Sequence, residues 1–220
     1  MNEFNTFNNY LNTLKDNYFL SLSMFKTWQG LNEMLTIEED KHLILNRYKN
    51  FYQITQMSLL YSSLGILSKI FDNCKDSITI YKIINYLTSN HNKLDISKFQ
   101  EANKERIFLE ELLERYEGIN IDDINEINEN LKKEDKSIKK LKYIRDKFVA
   151  HHDINFDTWS ISQSEIITLF ALVEKILNTL SYKTDFSVNN YDHVEDYKNE
   201  FKEIVDYLYD YEKYRIKKNI

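Results

Sequence analysis

Residues 51–72, FYQITQMSLLYSSLGILSKIFD, form the most apolar long stretch of the chain. Their polar members are mostly small serines, and no proline interrupts them. A helix with apolar residues on nearly every face has to be covered by neighbours on several sides. The stretch therefore predicts a long helix, buried on most of its sides, at the centre of a helical fold.

The chain as a whole contains few of the Gly and Pro residues that tight turns use. It has 220 residues with no proline and only three glycines, Gly30, Gly65 and Gly118. Strand-rich folds use Gly and Pro at their many turns, so this composition predicts an all-α protein. Because 42% of the residues are apolar, we expect one helical domain over residues 1–220, a bundle of five or more helices.

Apolar residues at intervals of three and four predict further helices around the central one. We expect a helix in the first 30 residues, interrupted near Gly30, and a second with a capping box of Thr36 and Glu39. Asp76 is expected to cap the helix of residues 77–89, where β-branched residues leave a strand as the alternative. The expected ranges after the first helix are 34–50, 51–72, 77–89, 97–117 (ended by Gly118), 121–132, 136–151, 163–181 and a C-terminal helix at about 191–216.

Several protein classes are excluded by what the sequence lacks. The single Cys74 cannot form an internal disulfide or a thiolate zinc cluster. No signal peptide, membrane-length apolar run or Gly-rich phosphate loop is visible. His42 lies near Glu38 and Glu39, but a solvated helix face explains this cluster better than a metal site does, and His91 is expected in a loop. The sequence predicts a cytoplasmic protein with no membrane contact, no metal and no cofactor.

Charge is distributed unevenly along the chain, whose net charge is −6. Residues 101–130 carry ten acidic against three basic residues, whereas residues 132–147 carry eight basic against three acidic ones. A basic segment in an acidic protein is a candidate phosphate-binding surface. Its candidate RNA-binding residues are Lys139, Lys140, Lys142 and Lys147. The Tyr-rich tail is expected either to pack in a dimer or to stack bases.

The basic segment ends in KYIRDKFVAHHD, residues 142–153. Five residues separate Arg145 from His151, and six separate it from His152. One explanation is an ordinary helix end, because basic residues and histidines near a C-terminus complement the helix dipole. The other is a metal-free RNA-cleaving site, in which a His moves protons at neutral pH and an Arg holds the phosphate.

This motif resembles that of the HEPN superfamily, in which an Arg, often followed by a polar Asn, Asp or His, is followed after four to six residues by a His. It is most similar to the AbiU-type abortive-infection branch. An upstream apolar helix that ends in Asp and leads into a Ser-Ile helix is a further similarity, and the resemblance covers about residues 30–182. The positions that match the motif are Arg145, Asp146, Lys147, Ala150, His151 and Asp153.

The resemblance implies a four- or five-helix bundle that pairs as a homodimer, with the Arg–His motifs of both copies lining one cleft. Many such proteins are metal-independent endoribonucleases in toxin or phage-defence systems, and others are silent modules that bind RNA or a protein. In the active case Arg145 would stabilise the transition state and His151 would be the general acid or base, assisted by Asp146 or His152. On an ideal α-helix Arg145 and His151 lie about 120° apart, against about 20° for His152. A site shared across a two-fold axis, or a helix that ends before His151, would bring Arg145 and His151 together. The family's Ala-His pattern favours His151, with His152 second.

One position departs from a related branch of the superfamily. The HepT-type toxins carry a Tyr two residues after the His, which their antitoxins modify, whereas this chain has Asp153. Inactivation of this protein by modification of such a Tyr is therefore not expected. An antitoxin or a defence-complex protein is still a candidate partner. A third hypothesis is an unrelated helical interaction protein that uses the acidic segment 101–130 as its contact surface.

Overall fold

The computed structural model describes residues 3–37, 41–74, 76–150 and 161–218. In these ranges the chain forms ten α-helices and no strand, which confirms the all-α prediction. A 3₁₀ turn, His91–Lys93, follows the fourth helix, and a π-helix, Arg145–Ala150, continues the eighth. The α-helices are α1 (Glu3–Ile37), α2 (His42–Arg47), α3 (Lys49–Ile70), α4 (Ile80–Asn90), α5 (Ile96–Ala102), α6 (Leu109–Glu114), α7 (Ile121–Lys133), α8 (Asp135–Ile144), α9 (Gln163–Asp185) and α10 (Val194–Lys217).

The chain divides into two compact units. The first consists of Met1–Tyr18 and Ile66–Asn189, and the second of Phe19–Gly65 and Asn190–Ile220. Helices α1 and α3 each contribute residues to both units. The basic segment and the motif belong to the first unit, whereas α10 belongs to the second.

The core of the first unit is built from apolar stripes of α1, α4, α5 and α7–α9. Phe4 lies edge-on to Phe99, with 5.9 Å between ring centroids. The Tyr18 hydroxyl donates to Glu174 Oε2 at 2.9 Å, which satisfies a phenol that is otherwise buried. Since α7, α8 and α9 each bury an apolar face here, the start of the motif is held on a packed helix.

The second unit has a core of its own. Its buried residues are Leu31, Met34, Ile44, Leu45, Tyr52 and Val205, against which Phe201, Leu208 and Tyr209 pack. A Cβ at Gly30 would lie 2.8 Å from the Lys198 carbonyl oxygen, so only glycine permits this approach of α1 to α10. Ser21 and Ser63 each donate to the other's carbonyl oxygen at 2.8 Å, which fastens α1 to α3.

The predicted interruption near Gly30 is wrong, since α1 continues to Ile37. The predicted helix at 34–50 is also wrong, because its first residues belong to α1 and two helices follow, α2 and α3. Of the proposed capping box, Glu39 lies outside the described residues. Gly30 allows close packing within a continuous helix instead of ending one.

The helix α3 exists as predicted, but its second half is buried far more completely than its first half, where Tyr52 is the residue that reaches the core. Phe51, Ile54 and Met57 are exposed on its first half, so the prediction of burial on most sides fails there. The next helix, α4, excludes the strand alternative, and its N-cap is Thr79, whose hydroxyl accepts from the Lys82 N–H at 3.1 Å. The predicted cap, Asp76, lies before the helix.

The predicted helix of residues 97–117 is broken into α5 and α6. The residues between them include Asn103, whose side-chain amide donates to the Phe99 carbonyl, and Phe108, whose φ is +61°. Asn favours helix ends because its side chain competes for backbone hydrogen bonds, and Lys104, Glu105 and Arg106 offer no apolar side chain to bury. The helix therefore ends where its apolar stripe fails, well before Gly118.

Across the described residues, no helix is both long and apolar enough to cross a membrane.

Candidate functional site

Helix α8 presents one buried and one exposed face. Ser137, Ile138, Leu141 and Ile144 are buried. The exposed side chains of α8 recur at intervals of three and four, which places them on one stripe; they are Asp135, Lys136, Lys139 and Tyr143. The helix thus carries a basic, aromatic stripe that ends at the motif.

The backbone changes its winding where the motif begins. The α-helix ends at Ile144, and Arg145–Ala150 form a π-helix, so the prediction of one α-helix over 136–151 is wrong. A π-helix bonds each residue to the fifth one along the chain, which makes a wider turn, and such turns are frequent at functional sites. Angles calculated for an ideal α-helix therefore do not apply between Arg145 and the residues that follow it.

Arg145 is held by two carboxylates from different parts of the first unit. Its Nη1 donates to Asp72 Oδ2 at 2.7 Å, and its Nε donates to Asp146 Oδ1 at 2.9 Å. Its Nη2 lies 2.8 Å from the same Asp146 oxygen. The Arg145 side chain is 24% exposed, so it reaches the surface while its direction is fixed.

The surroundings keep Arg145 charged. Burial on its own would lower the pKa of Arg145, but the hydrogen bond to Asp146 and the charge of Asp72 outweigh it and raise that pKa above its ordinary value. With two carboxylates around one guanidinium, the three groups carry a net charge of −1. An incoming phosphate would have to displace a carboxylate or use the remaining N–H donors of the guanidinium.

The four predicted RNA-binding lysines differ in their surroundings. Lys139 is exposed and pairs with Asp135 one turn earlier. Lys140 donates to Glu165 at 2.6 Å, which ties α8 to the start of α9. Lys142 lies over the Tyr81 ring, with Nζ 5.6 Å from its centroid, and Lys147 is half-buried. Lys139 is thus the most accessible of the four, and RNA binding by this group stays a prediction.

Part of the predicted site falls outside the described residues. These are the motif histidines His151 and His152 and also Asp153. The structure therefore brings Arg145 and Asp146 together, and the choice between the two histidines stays a prediction.

Two residues near the motif were not predicted from the sequence. Asp72 follows the end of α3, where a carboxylate interacts unfavourably with the helix dipole unless a cation compensates it. An Asp at the end of a predicted helix is therefore the sequence feature from which a basic partner for Asp72 could have been expected. Tyr143 is 52% exposed on the stripe of α8. An exposed aromatic ring between lysines is a candidate platform for an unpaired base.

The other histidines considered from the sequence lie away from Arg145 in sequence and belong to helix ends. His42 begins α2, and His91, which was expected in a loop, forms part of the 3₁₀ turn after α4, with Nδ1 3.2 Å from the Leu87 carbonyl oxygen. Within the described ranges, no group of three or more His, Cys, Asp or Glu side chains is arranged to hold a metal ion.

Comparison with known protein families shows which family the chain belongs to. A family model described as AbiU2, within the HEPN group, matches residues 4–208. Because this match covers most of the chain, the protein belongs to the AbiU2 family of HEPN proteins. The match extends beyond both ends of the 30–182 region that carries the sequence resemblance. Comparisons with curated proteins and with solved structures gave no significant match.

Proposed function

We propose that this chain is a metal-independent endoribonuclease of the HEPN type that acts in the cytoplasm in phage defence or as a toxin. The proposal rests on membership of the AbiU2 family and on the placement of Arg145. Family membership supports a defence module related to RNA, and the chemistry at the motif supplies the mechanism.

In the proposed reaction the 2′-hydroxyl of the substrate attacks the adjacent phosphate and the 5′-oxygen leaves, which gives a cyclic phosphate. Arg145 donates to the phosphate oxygens as negative charge develops on them. His151 transfers protons as general base or acid, and His152 is the second candidate for that role. Asp146 orients the Arg145 side chain through its Nε.

The observation that carries the proposal is the position of Arg145. Arg145 lies in the motif, and Asp72 and Asp146 fix its direction at the junction between α8 and the π-helix while its side chain stays 24% exposed. The stripe beside it carries Lys139 and Tyr143, which suit a phosphate and a base respectively. Lys139 and Tyr143 thus supply a cation and an aromatic platform next to Arg145.

The test is cleavage of a labelled mixture of tRNA and mRNA by the purified protein with EDTA present. Arg145→Ala and His151→Ala are each expected to lower the rate by on the order of 10² to 10³. Arg106→Ala is the matched control, because Arg106 also pairs with a carboxylate, Asp185, in the same unit. Absence of cleavage by wild type, or equal cleavage by wild type and the Arg145 variant, would contradict the proposal.

A second candidate function is a silent module that binds RNA without cleaving it. The observation that favours it is the pair of carboxylates already bound to Arg145, whose net charge opposes an incoming phosphate. In that case wild type and Arg145→Ala bind RNA equally in a gel-shift assay and neither cleaves it. Replacing Lys136 and Lys139 by Glu is expected to weaken binding under either function.

Assembly is also part of the proposal. We expect a homodimer that joins the motifs of two copies, with RNA as the substrate and an antitoxin or defence-complex protein as a further partner. Size-exclusion chromatography coupled to light scattering would measure the dimer. If the protein cleaved RNA as a monomer, a site formed by the motifs of two copies would be contradicted.

A further inference from the structure

Helix α10 carries an exposed apolar stripe that the proposed nuclease site does not use. Ile204, Tyr207, Tyr211 and Tyr214 follow one another at intervals of three, four and three, so they lie on one face of the helix. Their exposed fractions range from 52% to 76%. Large apolar side chains gathered in this way mark an interaction surface more often than isolated exposed residues do.

The other side of α10 is fixed within the second unit. Val205 is fully buried in the core of that unit, and Leu208 packs against the same core. Glu212 is also buried and accepts from Arg47 Nη1 at 2.5 Å. The helix is therefore anchored by one face, and the tyrosine stripe is presented on another face of the same rigid element.

The stripe has the symmetry of a surface that can pair with itself. Its four residues are placed evenly about position 209. If a second copy of α10 runs in the opposite direction, Ile204 meets Tyr214 of that copy and Tyr207 meets Tyr211. A two-fold contact needs such self-complementarity, because each side of it is the same patch.

The charges at the two ends of the stripe favour the antiparallel direction. Glu200 and Glu203 are exposed before the stripe, and Lys217 and Lys218 are exposed after it. Antiparallel copies bring the acidic end of each helix beside the basic end of the other. A parallel pair would instead place acids beside acids and lysines beside lysines, which disfavours it.

We propose that α10 is a self-association surface and that its partner is α10 of a second copy, paired antiparallel through the tyrosine stripe. The side chains of both stripes would bury on the order of 1,000 Å² in total, which is near the lower limit of a specific interface. The contact is therefore expected to depend on concentration. It involves the second unit, whereas Arg145 belongs to the first, and it goes beyond the proposed nuclease function.

The test is site-directed disulfide cross-linking of the full chain in a Cys74→Ser background, which removes the exposed native thiol. Ile204→Cys and Tyr214→Cys proteins are purified separately, mixed and oxidised. The mixture is expected to form at least ten times more cross-linked dimer than either protein alone. An Asn199→Cys protein, altered at an exposed position off the stripe, is expected to give only background with the Tyr214→Cys protein.

Two further variants show whether the stripe itself is responsible. Adding Tyr207→Glu and Tyr211→Glu to both cross-linking proteins is expected to lower the yield at least tenfold. Adding Phe51→Glu and Ile54→Glu, at exposed apolar positions of α3 in the same unit, is expected to leave it unchanged. Circular dichroism checks that each variant is folded.

If the Ile204→Cys protein alone formed as much cross-linked dimer as the mixture does, the helices would be paired in parallel and the proposal would be overturned. A yield no higher than the Asn199→Cys background would overturn it as well, and so would a yield that falls only with the α3 changes. None of these measurements depends on RNA cleavage, so failure of the self-association and failure of the nuclease function are distinguished.

Discussion

At the scale of single residues, the arrangement around Arg145 combines positioning with charge. Asp72 and Asp146 contact different nitrogens of the guanidinium, which limits its rotation. The Arg145 and Asp72 side chains remain 24% and 30% exposed, so solvent screens their attraction. The pair is therefore expected to contribute more to the direction of Arg145 than to the stability of the fold.

The substitution Asp72→Asn tests whether the pair fixes the direction of Arg145 more than it stabilises the fold. The asparagine keeps the size of the side chain but loses its charge, so the free energy of unfolding should fall by no more than about 1 kcal/mol in urea titrations. Asp76→Asn, at an exposed position on the same segment, is the control and should change nothing. In the cleavage assay Asp72→Asn should lower kcat more than it raises KM. A loss of several kcal/mol with unchanged kcat would mean that Asp72 is purely structural.

The sequence alone predicted some of these residues and not others, for a physical reason. Arg145 and Asp146 are adjacent in a motif, so their contact is local. Asp72 lies 73 residues before Arg145, and periodicity within a helix carries no information about such a partner. The roles of His151 and His152 remain predictions from the motif alone.

At the scale of helices, the start of α4 shows which polar residue caps it. Thr79 accepts from the Lys82 N–H, whereas Asp76 is exposed before the helix. Thr79→Ala should therefore lower the free energy of unfolding by about 1 kcal/mol. Asp76→Ala should stay within about 0.5 kcal/mol of wild type. A larger loss of unfolding free energy for Asp76→Ala than for Thr79→Ala, measured by thermal or urea unfolding, would show that Asp76 is the cap.

The start of α9 predicts a dependence of stability on pH. The hydrogen bond from Lys140 lowers the pKa of Glu165 to about 2, and the Ser162 N–H contributes to the same shift. Because the folded-state pKa lies below the unfolded one, near 4.5, ionised Glu165 stabilises the fold above about pH 4.5. That contribution is lost as the pH falls towards 2.

The measurement compares unfolding of wild type and Glu165→Gln at several pH values from 7 down to 2.5. Wild type should be the more stable at neutral pH, and the difference should shrink below about pH 4.5. Glu126→Gln is a control, because Glu126 also pairs with a lysine but takes no part in a cap. A difference that does not change with pH would contradict the role of the Glu165 charge.

Helix positions were predicted well where the apolar stripe is continuous. The ranges expected for α7 and α9 agree with the structure to within a few residues, because their apolar residues recur without a break. The breaks were missed at residues 103–108 and at Arg145. The first depends on local caps and a positive φ at Phe108, and the second on a change of winding that leaves hydrophobic spacing almost unaltered.

At the scale of the whole molecule, the two units carry different surfaces. The first carries the motif and the basic stripe of α8, and the second carries the tyrosine stripe of α10. The composition, with no Pro and only three Gly, was enough to predict the all-α class. The division into two units was not predicted, since it depends on which parts of α1 and α3 pack with which neighbours.

In the proposed mechanism, this AbiU2-family chain cleaves RNA at a site to which two copies contribute. The most direct measurement mixes Arg145→Ala and His151→Ala proteins, each inactive alone, under conditions in which subunits exchange, with EDTA present. If one copy supplies Arg145 and the other His151, half of the sites in a mixed dimer are intact. The mixture should then recover about a quarter of wild-type cleavage.

Cleavage that stays at the level of the single variants, although mass measurement shows mixed dimers, would contradict a site shared in this way. An inactive wild-type protein under the same conditions would contradict the nuclease itself.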